Sequence, residues 1–398
     1  MKKRSVCTNC IQNSFLKERV SRDGRLGRCS YCSSLHNCVP LRQLAQWVDE
    51  ALKQKYREGE LVPVFDDEDR VSHEQNGEDF LDILSFHFGA EPVLFGDIQS
   101  LLTEPQESEP PLFSRDGKYT ELDGYRDTAV REWEEIKHEL RHRSRYFNDR
   151  VRSFFDNLFA EIKSAEIGGF LWNEAIRLCK QSEGYKFYRA RMATTAEELD
   201  VILKNPTREL GPPPPLQASA GRMNFEGASV FYGAMDRDTC IAELRPSLSS
   251  TIVSAKFKLR KNLRILDLLD LDKSYHKHDL DIFHPDYIKR KVSRSFIRLF
   301  HREIRRPVLP GTEHEYLVTQ VLSDYLSNAH SPVIDGMFFS TVQRDKGINV
   351  VLFGEGPMND NSEPDRLMLV PGSIKVHTIT GISYTASSRM AKEESAGR

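Results

Sequence analysis

The sequence predicts an α+β protein, and three observations carry that expectation. Strand-like and helix-like segments follow one another without the regular βαβ rhythm of a parallel sheet. Apolar residues at helical spacing run through much of the first half, whereas short strand-like runs fill the second. Five of the seven cysteines lie in the first 38 residues, which reads as a metal-held module and not a disulfide framework. A length of 398 residues is enough for two or three domains. With 39% hydrophobic and 29% charged residues, the composition suits a globular protein with a substantial core. A net charge of −3 excludes any global attraction to DNA or to an acidic membrane surface, so a nucleic-acid or phosphate contact must come from a local cluster. No run of apolar residues is long enough for a transmembrane helix. The basic start, MKKRSVCTNC, lacks the apolar stretch of a signal peptide, and the expected compartment is the cytoplasm.

Residues 1–40 form the cysteine module. CTNC (Cys7 to Cys10) and CSYC (Cys29 to Cys32) are two C-x2-C pairs separated by 18 residues. Each pair presents two thiolates from one tight turn, and two such knuckles complete a tetrahedron around zinc with no open position. A closed site is structural, so Cys7, Cys10, Cys29 and Cys32 are assigned Zn2+ and no catalysis. His36 and Cys38 are placed to substitute for one ligand. The turn-rich SRDGRLGRC between the pairs suits a short hairpin.

Residues 41–180 read as a helical domain. In LRQLAQWVDEALKQKY, Leu41, Leu44, Trp47, Val48, Ala51 and Leu52 mark one helix face. An acidic, proline-bearing loop follows near 102–119. Trp133, Ile136, Leu140, Phe147, Val151, Phe154, Phe155 and Leu158 then keep a stripe through many charges, as one long helix or two stacked ones. Gly168–Gly169 weakens or ends that run.

From residue 181 the character changes. KFYRAR is strand-like, and TTAEELDVIL is a short helix with Thr195 and Glu198 in capping-box spacing. LGPPPP is a stiff extended connection. ASVFYGAM is a strand, and DRDTCIAELR is a helix with Asp236 as its N-cap. TIVSAKFKL and LRILDLLDL are strands or strand and turn. EHEYLVTQVLSDYLS is a helix, and VIDGMFFST and INVVLF are closing strands. YIKRKVSRSFIRLFHREIRR holds eight Lys/Arg between Lys289 and Arg306 against one acid, Glu303. It reads as a solvated helix face over Phe296, Ile297 and Phe300, and the competing reading is an RNA- or partner-binding face. Residues 386–398 read as a disordered tail.

FYRAR, AGRMN, VFYGAM, TCIAELRP, LRILDL, EYLVTQVLSDYL and GMFFST occur in an order that resembles the RES domain family. On that resemblance residues 181–382 form a RES domain. The family comprises toxin components of bacterial toxin–antitoxin pairs, with a fold similar to ADP-ribosyltransferases. The preceding residues resemble the N-terminal zinc-and-helix domain that accompanies some RES and HEPN toxins. The resemblance implies a toxin–antitoxin or phage-defence enzyme that consumes NAD+, with water, phosphate or a protein side chain as the acceptor. It implies Arg189 and Arg222 as the family's two arginines, Tyr232 as its tyrosine, Glu243 as its glutamate and Ser340 as its serine. Arg191 competes with Arg189. It also implies an antitoxin partner, or restraint by the chain's own N-terminal domain, and leaves homo-oligomerisation open.

The chemistry agrees with that assignment. A planar guanidinium grips phosphate oxygens with two parallel hydrogen bonds, which suits Arg189 and Arg222 to a pyrophosphate. The face of Tyr232 suits stacking on flat, electron-poor nicotinamide. Breaking the ribose–nicotinamide bond leaves an oxocarbenium-like centre that a carboxylate such as Glu243 stabilises. Ser340 suits a phosphate or the carboxamide, and Asn349 is a further candidate to bind NAD+. The chain has no G-x-G-x-x-G fingerprint, so NAD+ is expected as a substrate and not as a hydride carrier.

Two other functions compete. Arg131 and His138, seven positions apart on one helix face, suit a HEPN-like ribonuclease that stabilises phosphate charge and moves a proton. A non-enzymatic protein that binds a partner through its zinc module is the other. The acceptor is not legible in the sequence.

Overall fold

In the computed structural model the described residues are 4–65, 71–104, 113–122, 124–144, 148–163, 175–270, 280–305, 316–354 and 364–383. They divide into two compact units, Met1–Glu134 with Tyr275–Leu299, and Glu135–Ser274 with Phe300–Arg398. The expected acidic loop falls partly, and Phe147, Gly168, Gly169 and the C-terminal tail wholly, outside the described residues.

The first unit opens with β1 (Ser5–Cys7), α1 (Ser14–Asp23), β2 (Arg25–Arg28) and β3 (Leu35–Pro40), whose strands form a sheet in the order β1-β3-β2. Helix α1 corrects the expectation of a plain hairpin between the cysteine pairs. The Asn13 side chain accepts from the amides of Phe15 and Leu16, and Leu16 and Val20 bury one face. SRD therefore ends a helix, while RLGR pairs with β3. Helix α2 (Leu41–Lys55) buries Leu41, Leu44, Trp47, Val48, Ala51 and Leu52, the face its spacing predicts.

Between residues 56 and 121 this unit also holds β4 (Tyr56–Glu58), β5 (Leu61–Phe65), β6 (Val71–Gln75), β7 (Glu78–Asp79), α3 (Phe80–His87), α4 (Pro92–Thr103) and β8 (Lys118–Glu121). β5 and β6 form a hairpin, and the others a sheet in the order β4-β8-β7. The core joins Val6, Leu44, Val48, Phe80, Phe88 and Phe113. α5 (Gly124–His142) begins here, and α6 (Asp149–Lys163) follows in the second unit, so the charged stripe forms two helices.

The second unit contains β9 (Ile176–Cys179), β10 (Lys186–Ala193), α7 (Ala196–Lys204), α8 (Pro206–Leu210), β11 (Val230–Ala234), α9 (Arg237–Glu243), β12 (Thr251–Leu259) and β13 (Leu263–Asp267). α10 (Tyr287–Arg305) begins in the first unit and ends in this one. α11 (Leu317–Asp324), β14 (Gly336–Ser340), β15 (Ile348–Phe353), β16 (Leu367–Leu369) and β17 (Lys375–Thr378) complete it. Nine strands form one sheet in the order β16-β12-β10-β11-β15-β14-β13-β9, with β17 also on β12. β13 and β14 run parallel and the other pairings are antiparallel.

Both predicted N-caps form: Thr195 accepts from the Glu198 amide and Asp236 from the Thr239 amide. Glu198 reaches back to the amide of Thr194, one residue earlier than a capping box requires. α11 continues into a π-turn, Tyr325–Ala329. Phe296, Ile297 and Phe300 on α10 are buried under its basic surface. Among the described residues no helix is long and apolar enough to cross a membrane.

The pleat separates two faces of the sheet. One carries Phe187, Phe231, Val253, Phe257, Val350 and Leu352. The other carries Ala190, Ala234 and Ile252 against Cys240 of α9. On this second face Tyr232 pairs with Val351, and Asn349 lies two residues before Val351 on the same side of the strand.

Candidate active site

The four cysteines Cys7, Cys10, Cys29 and Cys32 converge, with all four sulfurs within 4.8 Å of one another. Sγ–Sγ distances are 3.8 Å for Cys7–Cys10, 3.5 Å for Cys7–Cys32 and 3.7 Å for Cys10–Cys29. Four sulfurs on a zinc tetrahedron of about 2.3 Å radius stand about 3.8 Å apart, so the cage fits the ion. Burial pushes the Cys7 and Cys10 thiols up, while the Ser34 amide pulls exposed Cys32 down to about 6. A dication bound here would hold all four as thiolates. His36 and Cys38 stand outside the cage. Cys38 Sγ donates to the carbonyls of His36 and Gly27, and His36 Nε2 lies 3.1 Å from Asn9 Nδ2.

A second cluster forms around Glu243, the last residue of α9. Arg222, Glu243, Arg245, Arg305, Ser340, Thr341, Gln343 and Asn349 line an open cleft with about 200 Å3 of empty space. Ser340 ends β14, and Asn349 lies near the start of neighbouring β15. Asn349 Nδ2 donates to Glu243 Oε1 at 2.8 Å, and Thr341 Oγ1 donates to the same oxygen. Thr341 is fixed in turn, because its hydroxyl accepts from the Gln343 amide. One carboxylate oxygen is therefore held by two donors, and Oε2 makes no hydrogen bond among the described residues. Asn349 is buried, yet its Oδ1 has no partner. Ser340 Oγ lies 3.2 Å from Nε2 of buried His301.

Arg222 sits in a tight turn closed by a bridge between Gly221 and Asn224. Its NH1 donates to the carbonyl of Ile304 at 2.9 Å, and its own carbonyl accepts from Thr319. Tyr232 anchors this turn from below: its hydroxyl donates to Asn224 Oδ1 at 2.8 Å and accepts from the Met223 amide at 2.9 Å. A Cβ on Gly221 would meet Asn224 Oδ1 at 2.7 Å and the Tyr232 hydroxyl at 2.8 Å, so the position demands glycine. Burial raises the Tyr232 phenol far above its ordinary range, although the nearby charges of Arg222 and Arg189 oppose the rise. On the other flank of the turn lies a larger opening, with about 710 Å3 of empty space, lined by Asn224, Phe225, Gln320, Asp324 and Arg366 among others.

Of the six residues expected to act on the substrate, Arg222, Glu243, Ser340 and Asn349 come together in one cleft. Tyr232 and Arg189 do not line it. Tyr232 supports the turn beneath Arg222. Arg189 stands on the other face of the sheet with Phe187, because β10 alternates. Its NH1 donates to the Gly211 carbonyl at 2.7 Å, and its guanidinium lies 5.6 Å from the Phe231 ring. Burial pushes it down to about 10, so it stays cationic near neutral pH. Arg191, on the same face, is exposed and paired with Glu209. Sequence reasoning missed Thr341, Arg245 and Arg305; for Arg305 the signal was the basic run read as a solvated face. Arg131 and His138 are both exposed on α5, with the His138 ring 4.7 Å from that of His142.

Fold and cleft define an α+β domain that holds an oriented carboxylate among guanidinium groups beside a mostly antiparallel sheet. Residues 186–369 match the model of the RES domain, and the chain carries a RES domain over that span. RES domains are associated with toxin-like activity directed at NAD+. No curated protein and no solved structure matches the chain.

Proposed function

We propose that this protein cleaves the bond between nicotinamide and ribose in NAD+, by hydrolysis, phosphorolysis or ADP-ribosyl transfer. The observation that carries the reading is Glu243, clamped through one oxygen and facing the cleft beside Arg222, within a chain that matches the RES domain. A pyridinium leaving group departs with its bonding electrons and leaves positive charge on the sugar. A carboxylate already fixed in place stabilises that charge without reorganising. Arg222 holds a phosphate oxygen, and Ser340 holds the carboxamide or a sugar hydroxyl. On this reading the nicotinamide–ribose half of NAD+ meets Glu243 at the mouth of the cleft and the adenosine half lies outside it. The biological setting proposed with this activity is a toxin of the bacterial cytoplasm, restrained by an antitoxin or by the chain's own first unit.

Nicotinamide release from NAD+ by the purified full-length protein, followed with and without phosphate and cell extract, tests the reading. Glu243→Gln keeps the donors Thr341 and Asn349 satisfied, so the variant is expected to melt like the parent. Its rate is expected to fall on the order of 10²–10³-fold, as when one preorganised electrostatic group is removed. If no acceptor supports nicotinamide release by the unaltered protein, the reading fails.

A further inference from the structure

We propose that Arg305, the last residue of α10, is a second phosphate ligand of the cleft and completes a two-guanidinium grip with Arg222. The inference rests on the NAD+ reading and adds to it a residue outside the motifs that suggested it.

The cleft presents three guanidinium groups, those of Arg222, Arg245 and Arg305, around one carboxylate, so its lining is cationic. Arg245 is engaged, with the Gln343 carboxamide oxygen within 2.9 Å of its NH2 once that amide is turned to accept. Arg305 is different. Its Nε is buried and has no hydrogen-bond partner, while the side chain as a whole is half-buried in the cleft lining. A buried donor left unmade is unfavourable, and a guanidinium cannot escape by losing its proton. Such a group beside a cleft calls for an acceptor from outside, and the acceptor that matches a planar fork is a phosphate or carboxylate. Position adds a second argument. Arg222 donates to the carbonyl of Ile304, the residue just before Arg305, so the backbone that carries one guanidinium holds the other in register.

The unpartnered Oδ1 of Asn349 and the Oε2 of Glu243 add acceptors for sugar hydroxyls to the phosphate donors of the same cleft. The ligand class this chemistry fits is a ribose 5′-phosphate bearing nicotinamide, the half of NAD+ in which the proposed cleavage occurs.

Three substrates separate the roles: NAD+, nicotinamide mononucleotide, which keeps the phosphate, and nicotinamide riboside, which lacks it. Arg305→Gln in the full-length protein is expected to raise KM for the first two about tenfold or more, the scale of a lost charge-assisted pair, while kcat/KM for the riboside stays within about twofold. Arg305→Lys keeps the charge but not the fork, and is expected to fall between the two. An equal loss on all three substrates marks a structural role and overturns the proposal, as does no change on any. Should the unaltered protein release no nicotinamide from any of them, the NAD+ reading fails by itself. Calorimetry with inorganic pyrophosphate then decides about Arg305: binding lost in Arg305→Gln and partly kept in Arg305→Lys upholds the phosphate site, whereas equal binding by all forms, or by none, refutes it.

Discussion

Tyr232 shows how a residue type legible in the sequence can serve a different end in the fold. Its ring suggests stacking on nicotinamide, but its hydroxyl is engaged twice under the turn that carries Arg222. The two roles part company in Tyr232→Phe, which keeps the ring and removes the hydroxyl. If the hydroxyl matters through the turn, the variant leaves the Met223 amide and Asn224 Oδ1 short of a partner and costs about 1–3 kcal/mol. Nicotinamide release should then weaken mainly through KM, with a lower melting temperature. A variant with parental kinetics and stability would assign Tyr232 to its ring alone. The cleft residues that the sequence singled out, Arg222, Glu243, Ser340 and Asn349, carry donor or acceptor types that the proposed chemistry asks for. Arg305 was not legible, because an arginine in a basic helix looks like its solvated neighbours. What distinguishes it is a contact 82 positions away in sequence, between Ile304 and Arg222. Arg189 lies away from the cleft for a simpler reason: the pleat sends it to the side of Phe187, a consequence of period two that FYRAR already contains.

Among the elements, periodicity and capping carried most of the reading. α2, α7, α9 and strands β10 to β15 of the large sheet fall where apolar spacing and Thr195 or Asp236 put them, whereas β9, β16 and β17 were not expected, β9 lying in the stretch read as helical. α1 escaped because its face has just two buried residues, Leu16 and Val20, within a charged segment. Strand pairing was not legible at all, since nothing local says that β17 lies on β12. That pairing has a measurable consequence. His377 on β17 stands opposite Ile252 and places Nε2 2.7 Å from the hydroxyl of buried Ser254. Ser254 Oγ accepts from Arg237, and a neutral imidazole is able to accept the hydroxyl's own proton. Burial, aided by the charges of Arg237 and Lys375, holds the His377 pKa below its ordinary 6.5. The unfolded chain therefore binds a proton more readily than the folded one, and stability is lost as pH falls from 6.5 to the folded value. Denaturant midpoints between pH 7.5 and 5 should show this slope, and His377→Gln should flatten it. An unchanged slope in that variant would place the titrating group elsewhere.

For the molecule as a whole, the decisive feature is that each unit has a core of its own. Cys7, Cys10 and Cys29 belong to the first core, packed with Val6, Leu16 and Val48, and the three strands and two turns that present them are short. Such a module cannot stand on apolar burial alone. Structural zinc typically contributes about 10–16 kcal/mol of apparent binding energy, as much as the whole stability of an ordinary domain, about 5–15 kcal/mol. Removing the metal should therefore melt the first unit's cysteine module, while the nine-stranded sheet, whose core around Phe187, Phe231 and Phe257 contains none of these cysteines, keeps its own transition. The expected result is one zinc per chain by metal analysis and two calorimetric transitions, of which a strong chelator or Cys29→Ser lowers one and spares the other. Cys38→Ser, outside the cage, should retain the full zinc content. A purified chain that holds no zinc and melts identically with and without chelator would show that the four sulfurs converge for some reason other than a metal.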